Sequence, residues 1–131
     1  MGATVDESAH WHTAAERAAF VRDIFDRIGD KWSVIVICRL GKGSHHFNEL
    51  RRASDGITQR MLSATLRALE RDGIVTRTVH PTVPPRVEYA LTETGRTLLD
   101  VVKALARWTD QHVDVIRAAR VDYDQRTHAT A

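Results

Sequence analysis

A chain of 131 residues, 43% hydrophobic and 27% charged, is long enough to bury a core without disulfides or metal staples, and its composition is that of an ordinary soluble globular domain. Its longest apolar run, residues 34–38, is far too short to span a bilayer, and no basic stretch followed by an apolar one opens the chain, so a cytoplasmic protein without membrane contact is expected. Net charge is only +2, but residues 1–30 carry three Arg against six acids, residues 31–91 ten Lys/Arg against five, and residues 92–131 six against six, which places the positive excess in the middle and suggests a local surface for a polyanion.

Residues 1–12 show no periodicity and read as a flexible arm. From Thr13, apolar Phe20, Val21, Ile24, Phe25 and Ile28 recur at three- and four-residue spacing, which predicts an amphipathic helix ending near Gly29. Asp30 can cap a second helix, residues 31–40, that is apolar on nearly every side and is therefore expected to be central and buried; a strand is the competing reading of its β-branched residues. After a glycine-rich break, Phe47, Leu50 and Ala53 give one face of a short helix, with Arg51 and Arg52 outside, and Asp55-Gly56 makes a turn. Thr58 then caps a helix in which Met61, Leu62, Leu66 and Leu69 face inward, while Gln59, Arg60, Ser63, Ala64, Arg67 and Arg71 form a face without an acid. That face mixes bidentate base readers, hydroxyl and methyl contacts, and phosphate partners.

Two alternating stretches, residues 74–80 and 86–91, enclose all three prolines of the chain, which stiffen a projecting tip and deny it donors for pairing with another strand. A hairpin directly after a helix-turn-helix is a wing, and its Arg77, His80 and Arg86 can reach the sugar-phosphate backbone. Thr92 caps a last long helix in which Leu98, Val102, Leu105, Thr109, His112 and Ile116 keep a three-four spacing, with Val101, Trp108 and Val115 in a second stripe. One stripe can pack on its own domain; two call for a partner, most simply the same helix of another subunit. The fold expected is mainly α with a small β-hairpin wing.

At this point the residues resemble the HxlR-type winged-helix transcriptional regulators, relatives of the MarR group. The resemblance rests on Ile28-Gly29-Asp30-Lys31-Trp32, Phe47-Asn48-Glu49-Leu50-Arg51-Arg52, Gly56-Ile57-Thr58-Gln59-Arg60-Met61-Leu62, the block from Leu66 through Val75, and the block from Val83 through Gly95, in order and at the family's spacing. It implies a homodimer, built from the first and last helices at about residues 13–28 and 92–120, that binds a two-fold-related double-stranded DNA operator and represses or activates neighbouring genes. The reading helix is then 58–72 and the wing 74–91, within a single domain over residues 13–121, followed by a frayed polar tail, 122–131. DNA contacts are expected from Thr58, Gln59, Arg60, Ser63, Ala64, Arg67, Arg51, Arg52, Arg71, Arg77 and Arg86. The dimer interface is expected at Phe20, Ile24, Leu98, Val102, Leu105, Trp108, His112 and Ile116.

Many family members carry a sensing cysteine, followed by proline, just before the first matched block; here that position is about Ala19-Phe20. The sole cysteine, Cys38, lies on the apolar second helix, where a thiol is usually inert packing, so a redox role for it is the weaker reading. No cofactor or metal is expected: the histidine pairs His10/His12 and His45/His46 lack helical i, i+4 spacing and a cysteine cluster. Trp32, Trp108, Phe20 and Phe25 read as core rather than as the lining of a small-molecule effector pocket. No nucleophile elbow or phosphate-cradling glycine loop points to an enzyme. The remaining alternative is a winged-helix module that binds another protein.

Overall fold

The computed structural model describes residues 11–129. Its elements follow the order α1 (Ala14–Gly29), α2 (Lys31–Leu40), β1 (His45–His46), α3 (Phe47–Ala53), α4 (Gln59–Arg71), β2 (Val75–His80), β3 (Arg86–Leu91) and α5 (Glu93–Ala129). The strands form one antiparallel sheet in the order β1-β3-β2. The fold is thus a mainly helical winged helix, with a third, two-residue strand that periodicity could not reveal.

The starts of α1, α2 and α4 are set by side-chain acceptors. Thr13 Oγ1 accepts from Glu16 N, Asp30 from Trp32 N and from the Ser33 hydroxyl, and Thr58 Oγ1 from Met61 N at 3.1 Å. Each satisfies a donor that the first helical turn leaves without a partner. The Asp30 cap selects helix over strand for the β-branched run that follows. Flexibility was expected for residues 1–12; residues 1–10 lie outside the described residues, while Trp11 packs in a tilted arrangement on Phe20 with ring centroids 5.3 Å apart and His12 N donates to Glu16.

The core gathers Val36, Ile37 and Leu40 of α2, Leu50 of α3, Leu62, Leu66 and Leu69 of α4, Val75 of β2, Tyr89 and Leu91 of β3, and Leu99 of α5. Two inward expectations need correction. On α2 the buried residues are Ser33, Val36, Ile37 and Leu40, and Cys38 is exposed, because a helix on the rim of a small core turns only one face inward. On α4, Met61 is exposed and Thr65 is buried, a shift of the inward face by about one residue position.

The predicted frayed tail is also corrected. α5 stays helical through Ala129, supported locally by the Arg126–Asp122 ion pair at 3.1 Å and by the Thr127 hydroxyl donating to Tyr123 O. At 37 residues it is about 55 Å long. Only Gly95 and Leu99 of it are buried, so most of its length projects beyond the core.

The start of α5 is locked to the end of α4. Gly73, at φ 72°, ends the turn after α4, and Thr92 binds there three ways: its N donates to Ile74 O, its hydroxyl lies 2.6 Å from Gly73 O, and the hydroxyl oxygen accepts from Gly95 N. The Ile74 carbonyl occupies the space that a Cβ on Gly95 would take. Alanine ordinarily gains roughly 1 kcal/mol over glycine within a helix. Here the clash wins, and Gly95→Ala is expected to lower stability by about 1–3 kcal/mol, seen as a lower urea midpoint with an unchanged m-value.

Candidate nucleic-acid interface

The α3–turn–α4 unit presents a polar face that the sheet borders. Tyr89 and Leu91 of β3 and Val75 of β2 are buried on the sheet's inner face, which holds the hairpin beside α4. The register pairs Arg77 with Tyr89, so the Arg77 side chain shares that inner face and emerges next to α4.

On α4, Gln59, Arg60, Ala64, Arg67 and Arg71 are exposed and Ser63 is half-buried; the capping Thr58 is exposed as well. Ser63 and Arg67 line, with Arg77, Leu66, Tyr89 and Glu70, a groove of about 420 Å³ between the helix and the wing. Two elements distant in sequence therefore place guanidinium groups on one concave surface. The acid-free description of the helix face needs amendment, since Glu70 lines the same groove. It sits three residues beyond Arg67, one helical turn away, and spacing could have identified it.

Arg52 and Arg86 meet in a second groove, about 750 Å³, at the loop end of the hairpin. His46, Phe47, Asn48, Glu49, Pro85 and Val87 complete it. Of these, His46 and Asn48 were absent from the sequence-based set. They come into play because β1 pairs with β3, an arrangement two residues long. Arg51 is exposed on α3.

Arg71 stands apart. It lines a groove of about 810 Å³ with Phe20, Asp23, Ile24, Asp26 and Arg27 of α1, and with Asp72, Ile74 and Thr94. Arg27 Nε and Asp72 Oδ2 lie 3.0 Å apart there, a part-exposed bridge between the first helix and the end of α4. The residue expected as a DNA contact is thus grouped with the acids of α1.

Two carboxylates are held in their charged form. The backbone N–H of His46 donates to Glu49 and keeps its pKa below the usual carboxylate value, with the nearby histidines adding to the effect. The Ser44 hydroxyl does the same for Glu88, followed by His80, whose Nε2 is 2.7 Å away. Among the described residues, no His, Cys, Asp and Glu cluster of three or more could hold a metal ion, and no helix is long and apolar enough to cross a membrane.

The apolar residues expected at an interface lie outside the core. Phe20, Leu105 and Trp108 are about half exposed, and Ile24, Leu98, Val102, His112 and Ile116 are partly buried; Leu98 alone among them packs against the core. Trp108 stacks on His112, whose Nδ1 is 2.8 Å from Trp108 O. The expectation that Phe20, Phe25 and Trp108 are core is overturned: α1 buries no residue at all, and Phe25 is 65% exposed. Trp32 does pack on the core.

Residues 27–117 match the HxlR-like helix-turn-helix family. The chain belongs to that family. It is 44% identical over 108 residues to the HTH-type transcriptional regulator YdeP of Bacillus subtilis (strain 168), covering 80% of this chain and 84% of YdeP. The solved structure of the redox regulator HypR in its reduced form superposes with a TM-score of 0.68 at 47% identity, covering 75% of this chain and 97% of HypR. A MarR-family transcriptional regulator structure from Enterococcus faecalis V583 gives 0.69 at 35% identity, covering 82% and 96%. This HxlR-like chain is therefore a helix-turn-helix transcriptional regulator of a DNA-binding family, not an enzyme.

Because Thr58 both caps α4 and begins its exposed face, Thr58→Ala is expected to cost about 1 kcal/mol of stability. Thermal unfolding checks it, and Thr58→Asn should retain most of the wild-type stability.

Proposed function

We propose that this protein is a sequence-specific, double-stranded-DNA-binding regulator that acts as a homodimer on an operator with two-fold-related half-sites, most simply a repressor released by a small-molecule or stress signal. The observation that carries the reading is the groove in which Ser63 and Arg67 of α4 meet Arg77 of the wing. In it, base-reading and phosphate-binding groups converge from two elements on a concave surface. Gln59, at the start of α4, is suited to adenine; Arg60 and Arg67 suit guanine edges or phosphates. Arg51, Arg52, Arg77 and Arg86 serve the backbone, which takes half to two-thirds of protein–DNA hydrogen bonds.

Homodimerisation is supported by two unpartnered apolar faces. α1 exposes Phe20 and Phe25, and α5 exposes Val101, Leu105, Trp108, Val115, Val121 and Tyr123 along a helix that leaves the core after Leu99. Pairing through them places two reading helices about one DNA turn apart, roughly 34 Å. A second reading of the input signal is redox sensing through Cys38. It is favoured by the exposure of that thiol and by the similarity to HypR, and its test is loss of oxidant-dependent release in Cys38→Ser.

Selection of bound fragments from genomic DNA by the purified protein yields the operator, and titration against salt then tests the reading. Neutralised phosphates give a log-log slope of about −0.9 per contact, whereas salt-insensitive binding or none favours a protein-binding module. Arg67→Ala is expected to lose about 1–3 kcal/mol and relax preference at one base pair; Arg52→Ala weakens all sequences alike and shallows the slope. Equal loss of specificity in both contradicts this division. Leu105→Asp introduces an unpaired charge into the apolar stripe and is expected to yield monomers by sedimentation equilibrium.

A further inference from the structure

The groove at the loop end of the hairpin contains a histidine that touches both the backbone and an arginine of the wing. His46 Nδ1 lies 3.2 Å from Val87 O, and its Nε2 lies 3.4 Å from Arg86 Nη2. A carbonyl only accepts and a guanidinium only donates, so both contacts are hydrogen bonds in the Nδ1–H tautomer, in which Nδ1 donates to Val87 O and Nε2 accepts from Arg86.

Adding a proton to Nε2 removes the acceptor and sets an imidazolium against a guanidinium. The new Nε2–H has an acceptor close by, because Glu49 Oε1 is 4.0 Å away and its carboxylate is kept ionised. Arg86 then has no partner on His46. It sits at the loop end of the wing, exposed, beside Arg52 and Asn48 in an open groove of about 750 Å³. We propose that His46 is a proton-operated latch on Arg86, which decides whether the wing's guanidinium is parked on the protein or free to bind a phosphodiester of the DNA backbone. This rests on the DNA-binding reading above and adds to it a phosphate seat and its control.

The charges that face His46 agree with the scheme. From α3 come Glu49 and Arg52; from β3 come Arg86 and Glu88, the latter directly opposite His46 in the strand register; His45 is its neighbour on β1. From β2, His80 holds the far side of Glu88. With Glu88 bound by His80 and Ser44, Glu49 is the acid left to receive the His46 imidazolium. Protonated, His46 also adds a positive charge to the groove, so both consequences favour an anion.

Between about pH 8 and pH 5.5 the wild-type protein is expected to bind its selected duplex more tightly as pH falls, with the log-log salt slope steepening by about 0.9, one phosphate contact. His46→Gln, whose amide oxygen can accept from Arg86 but cannot be protonated, should show the same slope at both pH values. Arg86→Ala should also remove the steepening. Steepening that survives in His46→Gln or in Arg86→Ala overturns the latch. A wild-type slope equal at both pH values overturns it as well, while leaving the DNA-binding reading intact.

A second readout needs no DNA. At pH 8, imidazole ¹⁵N NMR should find Nε2 of His46 unprotonated in the wild type, with its resonance displaced in Arg86→Ala. An Nε2–H tautomer in the wild-type protein overturns the latch even if the chain binds no duplex.

Discussion

The fold depends on the close approach of two chain segments at the corner where α4 ends. Gly73 turns the chain out of the helix, the Ile74 carbonyl fills the space beside Gly95, and Thr92 fastens the two with its backbone N–H and its hydroxyl. Three directions are set there at once: the axis of α4, the departure of the wing through β2, and the exit of α5. A side chain at Gly95 would push them apart together, because a carbonyl oxygen has no alternative rotamer to adopt. The core beneath the corner, from Leu66, Leu69, Val75, Leu91 and Leu99, stabilises what this backbone contact orients.

The placement of charge follows from that geometry. The face of α4 that escapes burial against Leu62, Leu66 and Leu69 carries arginines, and the wing adds Arg77 and Arg86 on either side of its sheet. Glu49 and Glu88 are held by hydrogen-bond donors and Asp72 is bridged by Arg27 toward α1, whereas Glu70 stays in the groove with Arg67 and Arg77. The basic grooves and the exposed apolar faces are therefore built from different side chains. That bridge links the C-cap of α4 to α1.

Much of the architecture was legible because each helix advertises its own start and period. Thr58, Asp30 and the three-four spacing of Leu62, Leu66 and Leu69 depend only on local backbone physics. What escaped depends on distant partners. A two-residue strand such as His45–His46 has no period of its own and exists only because β3 lies beside it. Cys38 and Phe25 look like core by composition; their exposure comes from how few neighbours a small domain can supply to α1 and α2. The helicity of the tail, by contrast, was readable in principle, since Asp122 and Arg126 stand four apart. At the candidate interface, the arginines of α4 and the wing were identifiable from the helix face and hairpin. The parts played by His46 and Asn48 were not, because strand pairing brings them there.

The unsupported length of α5 bears on how the protein can be deployed. A helix that runs on for thirty residues past its last buried leucine gains little from its own domain. If a second chain supplies its packing, the ordering of that segment and the meeting of two chains are one equilibrium, set by the amount of protein present. Occupancy of an operator then scales more steeply than linearly with expression. A modest change in synthesis or turnover would act as a signal in its own right, without any ligand.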